Sequence, residues 1–259
     1  MTSRKNPTLT TFKRLYAKSG NQCSFPNCEQ QFFSDNNTEN ISQVCHIEAA
    51  EKGGQRYNHN STDELRRHYD NLIVLCPTHH TTTDDINKYT VEVLKSMKSE
   101  HENKMEERKI SNKPTIFATA INALANIEFS NEGDIDSFDS FSIEGKINHN
   151  QVVRWKPHIN EYKKYQGKVA SIYKELELVG EGFRKDKLLQ LIQQRYLTTK
   201  GEFLQESNST LNKSDDILDK IEEKLIDEVE ADYDDMVIAI PIIMVDAFMR
   251  CKILEKPNK

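Results

Sequence analysis

Cys45-His46, Asp70-Asn71-Leu72 and Leu75-Cys76-Pro77-Thr78-His79-His80 decide the reading of this chain, together with Cys23 and Cys28 upstream. Cys23 and Cys28 are separated by four residues and Cys76 and His79 by two, spacings that bring paired ligands to one metal ion. Between the pairs lies the apolar run Leu72-Ile73-Val74-Leu75, which reads as a short strand delivering Cys76 to a turn at Pro77. Cys23, Cys28, Cys76 and His79 then make a closed Cys3His site for structural Zn2+. The rival reading is three reduced core cysteines and an incidental surface His. A module this short favours the zinc, because it cannot bury enough apolar surface to hold its functional groups still.

Three polar residues stand apart from that set. His46 follows a predicted strand over 41–47, and a neutral imidazole near pH 7 can take a proton from water, which makes it a candidate general base. Asn71 suits an orienting role, its amide tying the loop between the His residues to the backbone. His80 cannot share the zinc with its neighbour His79, since adjacent side chains diverge. It is read instead as a ligand to a catalytic Mg2+ or Mn2+. One His rarely holds a hard cation alone, so oxygen ligands are expected nearby: Glu48, Asp84 and Asp85, with His101 a weaker candidate.

Outward from this centre, residues 8–20 read as a helix with Gly20 as its stop, and Cys23 to Cys28 as a knuckle turned by Pro26 and Asn27. Residues 51–62 read as a loop. Thr90 caps a helix whose apolar positions Val91, Leu94 and Met97 recur at helical spacing, with an almost wholly charged tail over 98–109. Asn112-Lys113-Pro114 marks a break, and Asn131-Glu-Gly-Asp134 reads as a loop. Beyond it three helical stripes follow, over 159–176, 188–197 and 211–229.

Composition narrows the classes. With 29% charged and 36% hydrophobic residues in 259, the chain reads as a soluble protein of one or two domains. Its N-terminus lacks the apolar core of a secretory signal, so the five cysteines are expected to be thiols in a reducing cytoplasm. The apolar run 236–249 contains Pro241 and Asp246 and is too short to span a bilayer; it reads as a buried element. Cys251 is expected to be a packed thiol. The net charge of −6 is uneven: residues 1–110 hold 15 basic and 15 acidic residues, whereas 202–235 hold 13 acids against Lys213, Lys220 and Lys224. Nucleic acid would be met only by local patches of the first part, and the second would repel it.

Residues 12–103, on the motifs quoted above with Glu48-Ala49-Ala50 and Arg56-Tyr57-Asn58, resemble an HNH endonuclease module of the ββα-metal type, of a subgroup found in bacterial defence effectors. The resemblance implies His46 as general base and His80 as metal ligand, with DNA as substrate. Two positions depart from the pattern: Cys45 stands where many such enzymes carry an Asp metal ligand, and His79 where many carry a fourth zinc Cys. Residues 138–257, on Phe141 to Asn148, Tyr162 to Gly167, Ile172 to Gly180 and Ile240 to Pro257, are similar to the C-terminal domain of ABC-three-component antiphage systems, related to Lamassu. That implies an SMC-like ATPase and a small third protein as partners.

The expected architecture is α+β: a zinc-stapled ββα-metal module over 1–112, a linker or connecting helix over 113–137, and a mainly α-helical interaction domain over 138–259. The expected function is a cytoplasmic, metal-dependent HNH DNA endonuclease of antiphage defence, regulated through the C-terminal domain. That domain carries an acidic face, and the 236–249 run offers more apolar surface than a short terminal element needs for itself, which suits docking to a partner or to another copy. The alternatives are a zinc-stapled DNA-binding or adaptor module without catalysis, suggested by Cys45, and an RNA-cleaving enzyme.

Overall fold

The computed structural model describes residues 6–33, 39–127, 143–205, 213–250 and 252–257. The loop expected at 131–134, the start of the third stripe at Leu211, and Cys251 lie outside them. Two compact units, Met1–Lys113 and Pro114–Lys259, make up the chain.

The first unit opens with α1 (Leu9–Ser19). Thr8 caps it by accepting a hydrogen bond from Thr11 N, and Gly20 ends it at φ 59°, a left-handed conformation that glycine adopts without strain. The knuckle that follows turns at Asn27, also left-handed at φ 59°. Strands β1 (Gln43–His46) and β2 (Leu72–Leu75) pair antiparallel, with Cys45 opposite Ile73 and His46 opposite Leu72. Every residue of β2 is buried. Between the strands runs the loop expected at 51–62, followed by one turn of helix, α2 (Asp63–Arg66).

After β2 the structure differs from the sequence expectation. Cys76-Pro77 begins not a bare turn but a helix, α3 (Pro77–Thr82), which packs against both strands. Pro at the first helical position needs no N–H there and has its φ preset for the helix, so the signal read as a turn was a helix start. Helix α4 (Val91–Asn112), capped by Thr90, lies against α1. Its charged second half still buries Met105 and Ile110. The core gathers Leu15, Phe32, Ile47, Leu94 and Met97 around β2.

The second unit is all helix among the described residues: α5 (Ile116–Ala125), α6 (Ile143–His149), α7 (Lys156–Glu161), α8 (Gln166–Leu178), α9 (Phe183–Gln205), α10 (Lys213–Glu228) and α11 (Tyr233–Met249). Helix α5 lies in the stretch expected as a linker or connecting helix; Ile116, Phe117, Ala120, Ile121 and Leu124 are wholly buried, and it packs on α9 and α11. Helix α11 is buried from Asp235 to Phe248. The expectation that its apolar run offers an interface is therefore corrected. A helix apolar on every side is an interior helix, and this one is covered by its own unit.

Charges inside this unit are matched. Asp246, on α11, accepts from Tyr162 Oη (2.5 Å), Tyr173 Oη (3.0 Å) and Arg250 Nε (2.7 Å). Burial, then the Asp246 carboxylate, pushes both tyrosines well above their ordinary range, so they stay donors. Buried Lys146 donates to the Phe248 carbonyl in the last turn of α11 and to the Ile253 carbonyl beyond it.

Part of the expected acidic face is absorbed into the same packing, while Asp227, Glu230, Asp232 and Asp234 stay exposed. Asp215 accepts from the backbone N–H groups of Val153, Arg154 and Trp155. Asp216 and Asp219 pair with Arg154, Glu228 with Arg195 and Glu202 with Lys224. Acids that look like a repulsive surface in sequence thus serve as caps and ion-pair partners.

Asp215→Ala strands three backbone donors, each costing about 1–3 kcal/mol when buried and unpaired. The denaturant midpoint followed by Trp155, the single tryptophan, should fall by the equivalent of about 1–3 kcal/mol, chiefly from the buried Trp155 N–H. An unchanged midpoint would contradict the capping role.

Candidate metal centre and adjoining cleft

The knuckle, the end of β2 and α3 converge on one point. Ligand atoms of Cys23, Cys28, Cys76 and His79 all lie within 4.8 Å of one another. His79 Nδ1 is 3.2 Å from Cys76 Sγ and 3.7 Å from Cys23 Sγ. Their thiols are free rather than bridged. The Cys76 backbone N–H donates to Cys23 Sγ at 3.2 Å, and Phe25 stacks on the His79 ring at 3.8 Å with planes 5° apart. These contacts fix the orientation of the donors. Burial pushes the Cys23 thiol up to about 12. A sulfur buried in such company becomes a thiolate when a cation is beside it. Three sulfurs and one imidazole in reach of one point could hold a metal ion such as zinc.

His80 follows His79 on α3 and is turned by one helical step, so it faces elsewhere. Its Nδ1 lies 3.1 Å from Cys45 Sγ on β1. Beside this pair opens a cleft of about 220 Å³, lined among others by Cys45, His46, Arg56, His80, Thr83 and Asp84. Sequence residues 35 apart thus meet across the sheet. Burial pushes the Cys45 thiol up to about 12, with Asp84 adding to the rise and Arg56 opposing it.

Two residues hold the cleft walls. Asn71 is buried, its Oδ1 accepting from Glu48 N (2.9 Å) and its Nδ2 donating to the Glu48 and Arg66 carbonyls (2.9 and 2.8 Å). Its own carbonyl accepts from Ile47 N at 2.8 Å. Asn71 therefore clamps the backbone immediately after His46. The turn carrying it is braced in turn by Tyr69, whose hydroxyl donates to Glu102 on α4 at 2.6 Å. Arg56 donates from Nε to Ile47 O (2.8 Å) and from Nη1 to Thr83 O (2.9 Å) and Tyr89 O (3.1 Å). One guanidinium ties the segment after β1 to both ends of the α3–α4 connection.

The sequence candidates separate accordingly. His46, His80 and Asp84 line one cleft; Glu48 does not, its carboxylate accepting from Asn58 Nδ2 at 3.0 Å. Asp85 Oδ1 accepts from Asn87 N and Lys88 N in a local turn. His101 contacts the Ser19 carbonyl at 2.9 Å, and burial lowers its pKa. The bracing by Arg56 and the Cys45–His80 contact were not visible as roles in the sequence. The Arg-Tyr-Asn run at 56–58 was the only signal of the first.

Residues 117–255 match the model for C-terminal domain 10 of the ABC-three component (ABC-3C) systems, and the chain belongs to that family. Those systems act in antiphage defence, and membership implies partnership with their other components. No curated protein and no solved structure matches the chain. Among the described residues no helix is long and apolar enough to cross a membrane.

Purified without chelators, the chain should carry one equivalent of zinc by mass spectrometry; less than half an equivalent would count against the site. Cys28→Ser should lose that metal and unfold the first unit, because ligand binding and folding are one process in such modules.

Proposed function

We propose that the first unit is a metal-dependent HNH-type endonuclease acting on DNA, deployed by an ABC-3C defence system through the C-terminal domain. The observation that carries this reading is the meeting of His46, His80 and Asp84 in one cleft beside the Cys3His cluster. The antiparallel pair β1–β2 followed by α3, with ligands at both ends, is consistent with a ββα-metal module. Membership of the ABC-3C family supports the defence context and partners of the kind the resemblance implies, an SMC-like ATPase and a small third protein.

In this reading His46 takes the proton of the attacking water as its oxygen approaches phosphorus. Asn71 is a positioning residue: its three side-chain hydrogen bonds all go to backbone, so it holds the strand exit that aims His46. His80 and Asp84 would hold a divalent cation, which supplies charge stabilisation to the phosphate and the leaving oxygen. Arg56 commits three of its five donors to backbone carbonyls, so it braces the cleft it lines. The covered α11 leaves docking of partners, or of a second copy, to other surfaces of the second unit.

His46→Ala should lower nicking of supercoiled plasmid by about 10²–10⁴ while zinc content and DNA binding stay as in the native chain. EDTA should abolish the native activity. Nicking at the native rate by the variant would overturn the assignment. Cleavage of RNA in place of plasmid would change the substrate but keep the chemistry.

A further inference from the structure

Cys45 and His80 sit as a pair for which hydrogen bonding is not the only chemistry. Their separation, 3.1 Å from Sγ to Nδ1, nearly repeats the 3.2 Å between Cys76 Sγ and His79 Nδ1 in the Cys3His cluster of the same unit. A tetrahedral ion bound at about 2.3 Å to sulfur and 2.0 Å to nitrogen places those two atoms about 3.5 Å apart, so either pair closes on a metal with a shift of a few tenths of an ångström. The second pair, unlike the first, borders open space: the 220 Å³ cleft that His46 and Asp84 also line. The remaining positions of a coordination shell would open to that cleft, whose wall also carries Asp84.

We propose that Cys45 Sγ and His80 Nδ1 are ligands of a second metal ion in this cleft, and that the sulfur makes it a thiophilic transition metal of the zinc and cobalt class rather than magnesium. Magnesium demands oxygen donors and gives up water reluctantly, so a thiolate in its first shell is unfavourable. A site built on one sulfur and one imidazole ranks zinc, cobalt and nickel above it. The backbone presets both donors. Cys45 is fixed by pairing with Ile73, and the His80 N–H donates to the Cys76 carbonyl at 2.9 Å. Arg56 braces Ile47, two residues after Cys45, and Thr83, three residues after His80, which helps keep the two donors facing each other. The inference rests on the nuclease reading only for what the ion does; its presence and its sulfur ligand stand apart from catalysis.

The test titrates Co2+ into the full-length chain already holding one zinc, with zinc content checked afterwards so that exchange at the Cys3His cluster is seen. The expected result is a second metal equivalent with sulfur-to-cobalt charge-transfer absorption. Cys45→Ser should abolish that absorption at unchanged zinc content. Losing only an outer-shell partner weakens metal binding about 10–100-fold, so losing the ligand itself should weaken Co2+ by at least about 100-fold. His80→Ala should do the same, and Cys45→Asp should bind Mn2+ or Mg2+ without the absorption. A second cobalt bound with no sulfur absorption, no second cobalt, or a Cys45→Ser protein identical to the native one would each overturn the site. Plasmid nicking on the same samples separates the two ideas. The sulfur absorption without nicking retains the metal site and sinks the nuclease. Nicking with Mg2+ and no sulfur absorption retains the nuclease and sinks the site.

Discussion

The first unit brings four ligand atoms to within 4.8 Å of one another, and a metal ion bound there would tie its parts together. The knuckle at 23–28 belongs to the segment after α1, whereas Cys76 and His79 belong to the end of β2 and to α3. Otherwise the two-stranded sheet, a modest core and the donation of Ser24 N–H to the Val74 carbonyl join these parts. A two-stranded ribbon is marginal by itself in water, so a metal at this point would decide whether β2 and α3 keep their relative places. The cleft depends on that: His80 is carried by α3 one step from His79, and Cys45 and His46 by the strand paired to β2. With a metal bound at the cluster, sheet and cleft would stand or fall with it.

The second unit solves a different problem, that of keeping an apolar helix in register inside a bundle. Apolar packing alone is permissive about rotation and sliding. Asp246, with two tyrosines and Arg250, and Lys146, with two carbonyls, allow one placement of α11, since any slip would leave a buried charge unpaired. Asp215 does the same for the start of α7, and Asp219 accepts from the Trp155 indole N–H at 2.8 Å. These residues fall within the 117–255 match to the ABC-3C domain, so this helix register is part of the domain's own build.

Much of this was legible in the sequence where the signal was local. The Cys and His spacings gave the cluster members, Gly20 and Thr90 marked helix ends, and the Leu72–Leu75 run gave a strand. What stayed hidden depended on partners far along the chain. Helix α3 was concealed because Pro77 marks a turn and a first helical position equally well. Apolar periodicity could not say whether the 236–249 run was covered by its own unit or by another protein. The acids of 202–235 read as a solvated face because Arg154 and the backbone at 153–155, which occupy several of them, lie about 60 positions earlier. Glu48 looked as suitable as Asp84 for the cleft, and only the folded chain shows Asn58 engaging it. Cys45 looked like a missing Asp; the 3.1 Å contact with His80 gives the sulfur a place of its own.

Amide hydrogen exchange on the full chain, before and after complete metal removal by a chelator, tests the dependence of the cleft on the staple most directly. Protection of Gln43–His46 and Leu72–Leu75 should collapse together once the metal is gone, while Tyr233–Met249 keeps its protection. Strands that stay protected in protein shown to be free of metal would contradict the account.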